Sequence, residues 1–316
     1  MNARLRILAL AAAVSLFPPS VWAKPYRAMV TRTASTTRSG NMELGLRYQG
    51  FFSTDLDKSL PYQQLSPSLR WGILDNLEAN VYFEVLGLGL PGENNFTLAF
   101  GDIPLGLQWT VLEAGPFALG AYGRVTFPTG PSDQDVIPPN LSDGTWDYEG
   151  TLIGELRVSR DLRFMLNASY LHQGTRDRGA FAEFDVPDAV QLGVAGTYNI
   201  NDATLVGLEV IGRRYFERAI TPVWTDNANQ VEIIPVVRRE VFPGLVLEAV
   251  AGIAVTPDLS SIYQFRALIG GTYEFDLATG PRVPESKSSA KPAPAKKPTS
   301  TKKPTPTKKP ASTKKK

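Results

Sequence analysis

The chain has 316 residues and no cysteine, with 33 Lys and Arg against 31 Asp and Glu, for a net charge of +2. The missing cysteine excludes a disulfide framework. No stretch past the first twenty residues approaches the ~18 uninterrupted apolar residues of a membrane-spanning helix, so any route through a bilayer runs by strands.

The chain begins Met1-Asn2-Ala3-Arg4-Leu5-Arg6, followed by an apolar run of eleven residues (7–17), Pro18-Pro19, and small residues around Ala23. That order predicts a secretory signal peptide over 1–23, cleaved after Ala23. Residues 24–41 are rich in Thr, Ser and Arg with little periodicity, and are expected to be a flexible lead-in.

Twelve strands are predicted from there, each by alternation of apolar and polar residues. They cover 42–50, 64–72, 77–86, two strands within 102–130, then 146–158, 162–170, 190–200, 204–215, 231–239, 245–255 and 263–275. The pair in 102–130 is the clearest. Leu105, Leu107, Trp109 and Val111 alternate with Gly106, Gln108 and Thr110; a turn at Gly115-Pro116 follows, and Tyr122, Arg124 and Thr126 then alternate with Ala121, Val125 and Phe127. Pro235 interrupts the tenth strand, and the count falls to ten if that strand and a neighbour fail.

Connections after the even-numbered strands are short, such as Leu74-Asp75-Asn76 and Phe242-Pro243-Gly244, while most of the others are long and rich in Pro, Gly, Asn and Asp. Short turns on one rim and long loops on the other predict a transmembrane antiparallel up-and-down β-barrel over 42–276, an all-β fold in the outer membrane. An even strand count puts both termini on the short-turn side, the periplasm. Aromatics at strand ends on the apolar face (Tyr48, Trp71, Trp109, Phe127, Trp146, Tyr198, Tyr263, Phe275) fit interfacial girdles. A secreted β-sandwich or β-helix is the soluble alternative; charge in mid-strand opposes it, since a dry core would bury those groups unpaired. The last strand ends Gly270-Gly271-Thr272-Tyr273-Glu274-Phe275, which resembles the assembly signal of outer-membrane barrels, although 41 residues follow it.

If the apolar face meets lipid, the other lines a lumen. Its charged members are Arg47, Arg70, Glu78, Glu84, Asp102, Arg124, Glu149, Glu155, Arg157, Arg163, Glu209, Arg213, Arg266 and Glu274, with Glu43, Glu232, Glu248 and Arg238 beside them. The basic members are all Arg, and no Lys occurs between Lys58 and Lys287. Arg forks pair bidentately with carboxylates, so interstrand Glu–Arg networks are expected, serving as scaffold or as a charge filter with a slight cation preference.

No catalytic residue, cofactor site or metal site is assigned, and an enzyme is not expected. His172 is the single histidine and reads as a solvated side chain. No Ser-His-Asp spacing, metal-ligand cluster or phosphate loop stands out. Asp133, Asp135 and Asp143 lack the spacing of a known Ca²⁺ site.

Several short motifs carry a family resemblance. Leu69-Arg70-Trp71-Gly72 followed by Asp75-Asn76-Leu77-Glu78 resembles the "RxGLTDxLEL" hairpin of the transporters named after the MetA pathway of phenol degradation. Gly101-Asp102 through Gly106-Leu107-Gln108-Trp109 resembles their "GD…LGLKY" strand, Val125 to Gly130 their "LPTG" strand end, and Gly144-Thr145-Trp146-Asp147 their re-entry. The resemblance implies an outer-membrane channel for small, often aromatic or hydrophobic, compounds, and it carries no catalytic residue.

Residues 277–316 form a Lys/Pro/Ala/Thr-rich tail, expected to be disordered. From 281 onward it holds eleven Lys and one Arg against one Glu, so the remainder of the chain is acidic. Lysine pairs recur every six residues, at Lys296-Lys297, Lys302-Lys303, Lys308-Lys309 and Lys314-Lys315. In an extended polyproline rod of three residues per turn they fall on one side. The tail resembles those of linker histones, but an exported chain is not expected to meet nucleic acid; it reads equally as an electrostatic tether to peptidoglycan carboxylates and as a solubilising extension with no partner. The functional expectation is a channel passing small solutes through outer-membrane lipid. The alternative is a plugged structural barrel tethering membrane to wall through the tail.

Overall fold

The computed structural model describes residues 30–52, 62–89, 96–130, 145–172, 174, 188–216, 229–256 and 264–277. Among these there is no helix. The strands are β1 (Asn41–Phe52), β2 (Tyr62–Leu74), β3 (Leu77–Tyr82), β4 (Val85–Gly89), β5 (Phe96–Phe100), β6 (Ile103–Ala114), β7 (Phe117–Phe127), β8 (Asp147–Arg157), β9 (Leu162–His172), β10 (Ala189–Asn199), β11 (Thr204–Tyr215), β12 (Asn229–Phe242), β13 (Leu245–Ala254) and β14 (Phe265–Asp276).

Each strand pairs antiparallel with its neighbour, and β1 pairs with both β2 and β14, which closes the sheet. The ring has twelve strands. β4 continues β3 beyond a break at Phe83-Glu84, β5 leads into β6 across Gly101-Asp102, and β4 and β5 extend the wall toward the long-loop rim by pairing with β2 and with each other. Closure removes the unpaired edges that an open sheet would expose. The described connections after β2, β6, β8, β10 and β12 are short turns, and β1 starts and β14 ends at that same rim, where Asn41 pairs with Asp276.

Pro235 sits inside β12 and faces outward. It pairs with Leu208 of β11, while the register with β13 passes from Ile233↔Ile253 to Val236↔Val250 with no pair at the proline. The missing N–H interrupts one ladder locally and leaves the strand intact.

The alternation sorts cleanly between the two faces. Leu46, Leu107, Leu152, Leu166 and Val194 are exposed on the outside, Leu152 to 71%. Exposed aromatics cluster near both rims: Phe52, Tyr148, Tyr170 and Phe216 on the long-loop side, Trp71, Phe117, Tyr198 and Phe242 on the short-turn side. Tyr48, Trp109 and Trp146 are exposed as well, Phe127 and Phe275 are half-buried, and Tyr263 lies outside the described residues. A continuous apolar belt of this extent is incompatible with a water-facing surface and matches the lipid-facing band of a transmembrane barrel.

Residues 30–40 do not behave as a loose lead-in. They enter at the short-turn rim, where Gly40 N donates to Gly72 O at 2.9 Å, and run into the lumen. Thr31, Thr33, Ala34 and Thr37 are buried there. The segment crosses the bore from β3 toward the opposite wall, where Val30 packs against Ile211, Ile234, Val236, Val250 and Leu268. Ala34 fills a second apolar patch with Ala118, Tyr122 and Ile153.

Candidate functional site: the lumen and the segment across it

A segment without strand neighbours must satisfy its backbone by other means. Here the inner wall supplies side chains. The N–H groups of Val30 and Thr31 donate to Glu209 Oε2 at 3.0 and 2.8 Å. Arg32 N donates to Asn167 Oδ1 at 2.5 Å, and Asn167 Nδ2 donates back to Arg32 O at 3.0 Å. Ala34 N donates to Glu155 Oε2 at 2.9 Å, and Thr37 donates from both N and Oγ1 to Glu78 Oε2 at 2.7 Å. Its carbonyls are met in turn: Gln108 Nε2 donates to Thr33 O and Ser35 O, and Thr110 Oγ1 to Ala34 O. Three inward carboxylates therefore hold the segment. Charge-assisted bonds of this kind are stronger than neutral ones.

Other charges form ion pairs around the wall. Arg70 meets Glu43 at 2.8 Å and Arg124 meets Glu149 at 2.9 Å, each with its register neighbour. Glu155 also binds Arg157 at 2.8 Å and Arg163 at 2.9 Å, and Arg157 reaches Glu113 at 2.9 Å. Arg238 lies 3.4 Å from Glu248.

Like Arg157 with Glu113 at the short-turn rim, two further pairs skip a strand. Arg266 of β14 grips Glu232 of β12 through two bonds of 2.7 Å, over Gly252 of β13. A Cβ at Gly252 would lie 1.9 Å from Glu232 Oε1. Likewise Arg47 of β1 meets Glu248 of β13 at 2.6 Å over Gly270 of β14, where a Cβ would sit 2.9 Å from both partners. These glycines clear the path for ion pairs between second-neighbour strands.

Asp102 accepts from Gly130 N at 2.9 Å, and Glu274 accepts from Asn41 Nδ2 at 2.6 Å, both near the rims. Beyond the segment, toward the long loops, lies a polar cavity of about 300 Å³. Arg32, Arg47, Arg70, Arg124 and Arg213 line it, against Glu84 and Glu149. The acidic residues Glu78, Glu155 and Glu209 are engaged by the segment instead, so the excess of carboxylates counted along the strands is not what this cavity presents. The expected slight cation preference has no support in the cavity wall. Sequence reasoning also missed Arg32, Asn167, Gln108 and Thr110, because the segment they serve or belong to showed no periodicity.

His172 ends β9 half-exposed. Its Nδ1 lies 2.8 Å from Asp188 Oδ1, its ring stacks near Tyr148, and Tyr170 donates its hydroxyl to the same Asp188. The arrangement braces the outer rim. Among the described residues no cluster of three metal-ligating side chains occurs. Asp133, Asp135, Asp143 and the tail lysines lie outside the described residues.

An apolar belt outside, a charged lumen inside and a closed antiparallel ring define a transmembrane β-barrel of the outer-membrane type. No protein-family model matches the sequence, and no curated protein matches it either. Solved structures do. An outer membrane channel from Pseudomonas putida F1 superposes with a TM-score of 0.61 at 14% identity, over 77% of this chain and 98% of that one. The NanC porin superposes with a TM-score of 0.52 at 9% identity, over 73% and 98%. At such identity the likeness is one of fold.

Proposed function

We propose that the protein is an outer-membrane channel for small molecules, with its bore narrowed by residues 30–40. The observation that carries this reading is the polar cavity, which continues the lumen above the segment inside a membrane-spanning wall. The fold it shares with a structure named as a channel supports it. Export by the leader over 1–23, with both barrel ends at a periplasmic short-turn rim, completes the topology. The resemblance to the MetA-named transporters adds small, aromatic or hydrophobic compounds as the solute class. The test is the current through the refolded full chain in a planar bilayer. Discrete, salt-dependent steps are expected; silence from protein that is demonstrably folded and inserted would overturn the channel.

A second reading draws on the same segment: a barrel with its lumen blocked, joined to the wall by the tail. The recurring lysine pairs would bind peptidoglycan carboxylates by nonspecific electrostatics. Full-length protein is expected to pellet with purified peptidoglycan at low salt, and equal pelleting by a chain ending at residue 280 would remove the tether.

A further inference from the structure

The cavity holds more positive charge than its ion pairs cancel. Arg47, Arg70 and Arg124 have carboxylate partners. Arg213 does not: Nε and Nη2 donate to Gln191 Oε1 at 3.1 and 2.8 Å, and Nη1 donates to the Tyr215 hydroxyl at 3.1 Å. Those bonds use three of its five N–H donors. Arg32 lies flat on Tyr122, with its guanidinium carbon 3.3 Å from the ring centroid. Stacking occupies the face of a guanidinium and leaves its in-plane donors for an acceptor. Neither arginine has an ion pair among the described residues.

Both arginines line the same cavity. Tyr122, Thr151, Ser169, Gln191 and Arg213 are successive cross-strand partners from β7 to β11, so they form one row around the inner wall. Arg32 stacks at one end of that row and Arg213 projects from the other. Between them lie the hydroxyls of Thr151 and Ser169, 2.8 Å apart, and the Gln191 amide. Thr151 donates to Glu149 and Ser169 to Thr151, so the donors left for a ligand are those of Gln191 and the two arginines, which line a low-dielectric, partly enclosed space where a charged bond gains strength. Arg32 belongs to the segment across the bore, so the segment forms the floor of the site as well as an obstruction.

We infer that this cavity is a binding site for a small organic anion, a compact molecule bearing a carboxylate, with Arg32 and Arg213 as its charged contacts. The volume suits a body about the size of one ring. The inference rests on the channel reading and names its solute class: the carboxylated, rather than the neutral, members of a small-compound pool.

The experiment uses the refolded full chain in detergent, titrated calorimetrically with benzoate and with its neutral isostere benzamide. Benzoate is expected to bind about tenfold more tightly, as a charge-assisted pair requires. Arg213→Gln and Arg32→Gln should each bring benzoate close to the benzamide level. Arg213→Lys should recover only part of the difference, because a point charge lacks the fork. Heat-modifiable migration on gels verifies that each variant is folded. Equal binding of the two probes, no benzoate binding at roughly 10 mM, or discrimination that survives both glutamine variants would overturn the site. Discrimination by a protein that carries no current would sustain the site and sink the channel; current without discrimination would do the reverse.

Discussion

Deleting residues 30–39 should raise the single-channel conductance of the barrel several-fold. The ring closes from Asn41 onward through its own ladders, with β1 paired to β14 over its whole length, so the deletion leaves the strand-to-strand ladders intact. What it removes is a chain crossing the bore, with Thr31, Thr33, Ala34 and Thr37 buried in the lumen. Glu78, Glu155 and Glu209 would lose their backbone donors, but water entering the widened bore replaces them, as it does along porin walls. The shortened protein should also lose any preference for anions contributed by Arg32. Planar-bilayer recordings at matched salt measure both effects. Unchanged step size in a folded deletion protein would mean that the constriction lies elsewhere.

Glu155→Ala should be the most damaging single substitution of a wall residue. The Glu155 side chain is fully buried, contacts both Arg157 and Arg163, and accepts from Ala34 N. Removing it leaves two inward guanidinium groups without this shared partner and one segment N–H without an acceptor. Loss of one side of a buried ion pair costs about 3 kcal/mol. Glu113→Ala is the control: Glu113 also binds Arg157 but is 55% exposed, and its loss should cost less than about 1 kcal/mol. Urea unfolding into and out of lipid vesicles, followed by tryptophan fluorescence, gives the two values. Equal losses would show that the Glu155 cluster carries no special share of the stability.

The ring was legible in the sequence because a barrel wall obeys one rule at every position. Lipid on one side and water or polar chain on the other impose a period of two, and the unequal turns fix the two rims. The predicted strand over 77–86 shows the limit of that rule. Its alternation runs on smoothly through Phe83 and Glu84, yet the ladder breaks there and β4 takes β2 as its partner further out. Inward charges were legible by parity, but their partners were not. Arg266 finds Glu232 and Arg47 finds Glu248 across an intervening strand, which depends on a glycine in between and on barrel curvature.

The segment was the largest omission. Val30-Thr31-Arg32-Thr33-Ala34-Ser35-Thr36-Thr37 has no hydrophobic period, because its order comes from the acids that meet its backbone and not from an apolar face of its own. One signal did exist. The cross-strand neighbours of Glu209 are Ala195 and Ile234, and those of Glu78 are Gly72 and Gln108. Carboxylates in a lumen with no arginine at their register positions call for a donor from outside the wall, and the residues preceding the first strand are within reach to supply it.

The path of the segment is the claim on which the narrowed bore, its opening by deletion and the anion site all depend, and a crosslink tests it directly. The chain contains no cysteine, so a pair introduced by Thr31→Cys and Gly193→Cys has no competitor. A Cβ at Gly193 would lie 3.0 Å from Thr31 Oγ1, close enough for a disulfide after small adjustment. Near-complete crosslinking of the folded barrel under mild oxidation, seen as a shift of gel mobility reversed by reductant, is the expected result. Two free thiols in a folded, membrane-inserted protein would place residues 30–40 outside the lumen and contradict the account.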